Sequence, residues 1–328
     1  MIFKRTLALL TVSFVSLQMF AFGQTDEQII RDLFEKTTGQ TAFSLNVIPL
    51  KEGLTNRNYK AIFNGTPFFV RLGNENPESL KINRSREILL YSIAAKDGIA
   101  PKLLYWDSTS GTLIEPFLQG TPYGKKKGTW LYDRTESIQR IAALLQRAHA
   151  HESPGPKMID YPFQIIYDYI EQAHSLSIPL PQDIDHVLDI VQHLQDKMPE
   201  QKKVLCHQDL VPDNFIFDGK TLYLIDWEYA TWSDPFYDFA SLCIEHEFDD
   251  EEKDLLLKDS FQTPTEEQRI HLEMMCMLYS LRDSLWYFLE NEKPANQSKD
   301  FQSLGNYYYQ KFYTSLQWLE EHNVALET

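Results

Sequence analysis

Cysteine is scarce. Cys206, Cys243 and Cys276 are the whole complement of a 328-residue chain, odd in number, widely spaced and without a CxxC pair. That argues against a disulfide framework or a zinc site, and leaves each thiol as a small buried apolar group. Basic residues are also in short supply, 31 Lys and Arg against 47 Asp and Glu, for a formal net charge of −16. No nucleic-acid partner is expected of such a chain, because phosphate binding draws on Lys and Arg; a small cationic ligand fits it better. No internal repeat is present, and nothing in the sequence sets an oligomeric state. Of long apolar runs we single out Leu7 to Phe22, preceded by Lys4 and Arg5 and followed by Ala21-Phe22-Gly23 and polar Gln24. This is a signal-peptide pattern, somewhat short for a spanning helix. Residues 1–23 read either as a leader for export or tethering or as a start-site artefact. Membrane association is expected only through them.

The rest of the chain is rich in apolar residues, 43% hydrophobic and 13% aromatic, enough for a large core in two domains or one bilobal unit. "TDEQIIRDLFEKTTG" (25–39) predicts a helix capped by Thr25 or Asp26 and stopped by Gly39. "FSLNVIPL", "NYKAIF" and "PFFVRL" predict strands between residues 43 and 72, the last two joined by an Asn64-Gly65 hairpin turn. A helix over 83–98 and two strands over 102–118 follow. The polar stretch "QGTPYGKKKG" (119–128) suits a link between lobes. Beyond it the pattern is mainly helical (135–150, 159–174, 183–198 and from Tyr237 onward), interrupted by a small hairpin of "FIF" and "LYLID" around Asp218-Gly219. The expected domains are 24–118, a small β-rich lobe, and 119–328, a large helical lobe.

The chemistry is concentrated in "VLCHQDLVPDNFIF" (204–217) and "LYLIDWEYA" (222–230). An acid at Asp209, an amide at Asn214 and a second acid at Asp226 suit phosphoryl transfer to a hydroxyl. That reaction needs an acceptor for the hydroxyl proton and a cation to neutralise charge building on phosphate oxygens. Mg²⁺ prefers oxygen ligands, which Asn214 and Asp226 can supply while Asp209 faces the substrate.

The spacing matches the kinase catalytic loop H-R-D-x-x-x-x-N, with two differences: Gln208 stands in place of the Arg, and Ile225-Asp226-Trp227 in place of Asp-Phe-Gly. "HQDLVPDNF…LIDWEYA…DPFYDFA" resembles the choline/ethanolamine kinase family within the aminoglycoside phosphotransferase superfamily, over roughly residues 45 to 320. The resemblance implies an α+β, bilobal protein-kinase-like fold and an ATP- and Mg²⁺-dependent transferase, with Asp209 as base, His207 supporting the loop, and Asp238 bracing it. His149 is expected to be structural. "EGLTNRNYKAI" (52–62) resembles the phosphate-covering hairpin of choline kinases, which assigns Thr55 and Asn56 to the nucleotide. Arg71 would pair with its phosphates, Glu87 would hold Arg71, and the backbone at Glu115 and Phe117 would meet adenine.

For the acceptor, the resemblance implies a small cationic alcohol, choline first and ethanolamine second, in an aromatic and acidic pocket. Glu228, Tyr229, Trp232, Asp283, Trp286 and Tyr287 are the candidates, with Tyr279 beside them. The family has a second tryptophan about one turn before Trp286, where this chain has Arg282-Asp283. Thiamine or an aminoglycoside are the alternatives within the superfamily. An exported or tethered binding protein that keeps the fold without catalysis is the alternative outside it. An ATP-dependent kinase is expected in the cytoplasm, an expectation with which the leader-like segment competes.

Overall fold

The computed structural model describes residues 25–42, 44–50, 56–73, 82–155, 161–293, 300–324 and 326. The leader-like segment and Thr55 lie outside the described residues. Contacts divide the chain into two compact units, Met1–Glu75 with Leu103–Leu118, and Asn76–Lys102 with Gln119–Thr328.

The first unit is a helix on an antiparallel sheet. Helix α1 (Asp26–Thr38) starts at Thr25, whose hydroxyl accepts from the Gln28 amide at 3.3 Å. Asp26 is instead drawn to Arg57 at 2.6 Å. Strands β1 (Leu45–Leu50), β2 (Arg57–Phe63), β3 (Thr66–Leu72), β4 (Tyr105–Asp107) and β5 (Thr112–Pro116) form a sheet in the order β1-β2-β3-β5-β4. Alternation along β2 turns Tyr59, Ala61 and Phe63 inward, where they meet Ile30 and Phe34 of α1. The Phe34 and Phe63 rings stack at 4.8 Å. The β2–β3 turn puts Asn64 at φ 46° and Gly65 at φ 85°, the doubly left-handed backbone that an Asn-Gly pair tolerates best.

The second unit is mainly helical, as the sequence predicts. It contains α2 (Arg84–Lys96), α3 (Arg134–His149), α4 (Tyr161–Ser175), α5 (Ile184–Lys197), α6 (Pro235–Glu245), α7 (Asp250–Phe261), α8 (Glu266–Asn291) and α9 (Phe301–Glu321). Helix α8 is buried without a break from His271 to Leu285. A helix buried on every face is a central one, and α4, α6 and α9 pack around it. All three cysteines are free and buried.

The stretch 119–128, expected as a link, is built into this unit. Strand β6 (Thr121–Pro122) pairs with β10 (Phe215–Phe217), while β7 (Lys125–Lys126) and β8 (Thr129–Trp130) form a hairpin. Gly124, between β6 and β7, has φ 110°, and a Cβ there would stand 2.3 Å from the His246 ring. Composition reads this segment as polar; its strand partner lies far along the chain.

Two short ladders frame the chemistry-bearing loops. Strand β10 pairs with β11 (Leu222–Leu224), and β9 (Val204–Cys206) pairs with β12 (Thr231–Ser233). The segments 207–214 and 225–230 both run from one ladder to the other. Each therefore has its two ends fixed by the same pair of ladders.

Candidate active site

The 207–214 loop is held by its backbone. From α6, Asp238 takes the His207 N–H on Oδ2 at 3.0 Å and the Gln208 N–H on Oδ1 at 2.8 Å. His149 of α3 meets the same Oδ2 at 2.9 Å. The Leu210 N–H reaches the Ser241 hydroxyl at 2.8 Å. A fully buried carboxylate serving two backbone amides and an imidazole is fully satisfied, which is what makes such a buried charge tolerable.

The tautomer of His207 follows from its neighbours. Its Nδ1 accepts the Asp209 N–H at 3.3 Å, so Nε2 carries the proton and donates to the Ile225 carbonyl at 2.9 Å. Burial pulls its pKa down to about 4, so the ring is neutral. It thus ties the Asp209 loop to the residue before Asp226, and its ring packs edge-on against the buried Trp227 at 4.8 Å.

The Asn214 amide donates to the Asp209 carbonyl at 2.9 Å and to Asp209 Oδ2 at 3.2 Å. This fixes the Asn214 side chain so that Oδ1 is its remaining acceptor. The Ile225 N–H donates to the Asn214 carbonyl at 2.9 Å, so the chain reaches Asp226 beside Asn214. Asp226 is exposed at φ 64°, a left-handed backbone that costs a non-glycine residue about 1–2 kcal/mol. Gln208 shares that feature at φ 74°. An oriented amide oxygen and an exposed carboxylate are hard oxygen donors, the set that suits Mg²⁺.

Burial raises the Asp209 pKa to about 6, with Asp283 and Glu228 adding to the rise and Arg282 opposing it. A carboxylate of that basicity is matched to taking a proton from a hydroxyl near neutral pH.

The substrate candidates divide into two sets. Glu228 is buried against Arg84, which also serves Glu87, at 3.3 and 2.7 Å. Arg84 is a partner of Glu87 that the sequence did not suggest. Trp232 is buried in the β9–β12 ladder opposite Leu205. Tyr229 is buried, and its hydroxyl has no hydrogen-bond partner among the described residues.

Asp283, Trp286 and Tyr287 come together on α8, with groups the sequence did not single out. Glu245, at the end of α6, hydrogen-bonds with Asp283 and accepts from the Tyr279 and Tyr308 hydroxyls at 3.2 and 2.8 Å. Trp286 and Tyr287 meet edge to face at 5.0 Å, Tyr287 stacks on Tyr308 at 5.4 Å, and Phe301 lies 5.5 Å from Tyr287. Arg282 lies over the Tyr279 ring at 4.5 Å, with Nε 2.9 Å from Asp283. Burial pushes both Glu245 and Asp283 up, and the charges of Asp283 and Asp209 push Glu245 further. The signal for Glu245 was an acid closing the helix "PFYDFASLCIE" after the apolar run Leu242-Cys243-Ile244.

The nucleotide candidates other than Glu87 fall in the first unit. Asn56 immediately precedes β2. Arg71, near the end of β3, is buried and donates from Nε to the Gly111 carbonyl at 3.0 Å. Glu115 pairs with Phe69 in the β3–β5 ladder. The Phe117 N–H donates to the Pro67 carbonyl at 3.3 Å, a bond that would have to open before that N–H could serve a base.

Comparison with known proteins agrees with this chemistry. Residues 46–270 match the phosphotransferase enzyme family. Protein LicA of Haemophilus influenzae is 24% identical over 281 residues, covering 82% of this chain and 99% of that protein. The structure of choline kinase LicA from Streptococcus pneumoniae superposes with a TM-score of 0.70 at 27% identity, covering 89% of this chain and 98% of that one. A structure of LicA in complex with AMP gives a TM-score of 0.68 at 25% identity, over 90% and 99% of the two chains. With an acid, an amide and a second acid on two adjoining loops and a family match over residues 46–270 that spans both of its units, the chain belongs to the phosphotransferase enzyme family.

Proposed function

We propose that this phosphotransferase moves the γ-phosphate of ATP to the hydroxyl of a small cationic alcohol, choline first and ethanolamine second. The observation that carries this reading is the concentration of acids beside aromatic rings, Asp283 buried and Asp209 and Glu245 half-buried. Asp209 and Asp283 both add to the rise of the Glu245 pKa, the Tyr279 and Tyr308 hydroxyls donate to Glu245, and Tyr308 continues into a cluster of rings with Tyr287, Trp286 and Phe301. Arg282 opposes only part of that charge. A compact cation completes such a set, gaining cation–π attraction and a carboxylate in exchange for its water. An aminoglycoside carries several amines and favours exposed acids; here Asp283 is buried and Asp209 and Glu245 are half-buried. The names and structures of the LicA relatives support the same choice.

In this reading Asp209 accepts the acceptor's hydroxyl proton as the oxygen attacks phosphorus, and its raised pKa sets the lower pH limit of turnover. Asn214 and Asp226 would hold Mg²⁺, which supplies charge neutralisation at the phosphate oxygens. His207 and Asp238 keep Asp209 in place. Thr55, Asn56 and Arg71 serve the phosphates, and Glu115 and Phe117 the base. The test is ADP release by the purified chain with ATP, Mg²⁺ and, separately, choline, ethanolamine, thiamine and an aminoglycoside. Choline should give the highest kcat/KM, and a preference for thiamine or the aminoglycoside would replace the assignment.

A further inference from the structure

We infer that Arg282 is a positioning residue that holds the catalytic loop in its working conformation by clamping the left-handed peptide at Gln208. The inference rests on the role of Asp209 proposed above and concerns one of the two residues, Arg282-Asp283, that this chain has where the choline kinase pattern has tryptophan.

Gln208 is an unusual occupant of a left-handed position, φ 74°, which glycine, asparagine and aspartate enter more readily. Such a conformation persists when its surroundings over-determine it. Its side chain does not do so: Oε1 and Nε2 are both buried and have no hydrogen-bond partner among the described residues. The backbone is held from both sides instead. Asp238 of α6 takes the N–H at 2.8 Å, and Arg282 of α8 donates from Nη2 to the carbonyl at 3.1 Å. That carbonyl belongs to the peptide leading into Asp209, so any turn of it swings the base.

The clamp is itself immobilised. Arg282 is 5% exposed, lies over the Tyr279 ring at 4.5 Å, and has Nε 2.9 Å from Asp283. It is carried by α8, which is buried without a break from His271 to Leu285. A planar, permanently charged fork can serve a carbonyl, a carboxylate and a ring face together, which a lysine cannot. Its positive charge also argues against a direct role in holding a cationic acceptor, which it would repel.

The experiment uses the full chain and the variants Arg282→Gln and Arg282→Lys. Hydrogen exchange is read in the peptide covering 204–217, with peptides from α3 and α7 as references, alongside kcat and KM. With Arg282→Gln, exchange in 204–217 should rise about tenfold or more while the references stay unchanged. Its kcat should fall about tenfold or more with the KM for ATP within about twofold. Arg282→Lys, which keeps charge and a donor, should lie between Arg282→Gln and the unmodified chain. Unchanged exchange in 204–217 would overturn the clamp. So would exchange rising equally in the reference peptides, or an effect confined to acceptor KM. If the unmodified chain turns over no acceptor, the proposed function fails, while the exchange comparison still decides the clamp.

Discussion

Replacing Glu245 with glutamine keeps the shape of the α6 terminus and removes its ability to carry charge. The amide oxygen can still accept from the Tyr279 and Tyr308 hydroxyls, so the packing of α6, α8 and α9 should survive. The acceptor should feel the loss. Two opposite charges about 5 Å apart at an effective dielectric near 20 attract by about 3 kcal/mol, or roughly a hundredfold in affinity. The choline KM should therefore rise by up to that factor, with kcat changing far less, because proton transfer is assigned to Asp209 and only the cation to Glu245. The pH dependence is the sharper signature. Burial and the charges of Asp283 and Asp209 hold Glu245 well above the ordinary carboxylate range, which favours its protonated form in the empty enzyme. A quaternary ammonium beside it favours the carboxylate, and binding releases that proton. Rising pH removes the competing proton, so the choline KM should fall with pH above the ordinary carboxylate range, by at most about tenfold per pH unit. Choline does not titrate, so the slope belongs to the protein. Steady-state kinetics on both proteins over a pH series is the assay. A KM for Glu245→Gln within about threefold of the unmodified chain, with the pH slope retained, would refute the reasoning.

Asp209→Asn should reduce turnover by at least about a thousandfold while nucleotide binding persists, measured by kinetics and by titration with ATP. The same change should stabilise the protein. The Asp209 pKa is raised from 3.8 to about 6, so its ionisation costs folding energy as pH rises through that interval. The neutral isostere should gain up to about 3 kcal/mol at pH 7 and nothing near pH 3, by denaturant melts at the two pH values. Asp238→Ala leaves two buried backbone amides without their acceptor. It should cost about 3 kcal/mol, seen as a lowered Tm, and should depress kcat as well.

The parts of the site that were legible in the sequence are the local ones. Asp209, Asn214 and Asp226 sit on two short loops whose polar residues break apolar runs, and their spacing alone is what points to the chemistry proposed for them. Thr25, Gly39 and the Asn64-Gly65 turn announce themselves in the same way. What the sequence hid depends on partners far along the chain. Glu245 meets Tyr308 across 63 residues and Arg282 meets Gln208 across 74, and no local period marks either pair. Strands β6, β9 and β12 are too short to show alternation and exist through their pairings. That is why 119–128 reads as a polar link although it forms part of a sheet. Glu228 and Trp232 stood out as a charge and a ring beside Asp226, yet burial gives the one to Arg84 and the other to the β9–β12 ladder. Among the described residues no helix is long and apolar enough to cross a membrane.

The central claim is that a choline hydroxyl receives the γ-phosphate with Asp209 as base. The most direct measurement is phosphorus NMR of ATP, Mg²⁺ and choline incubated with the chain from Gln24 onward, beside its Asp209→Asn variant. The account predicts a growing phosphomonoester resonance, stoichiometric with ADP, that needs choline and is lost in the variant. No such resonance, or one that persists in the variant, would contradict it.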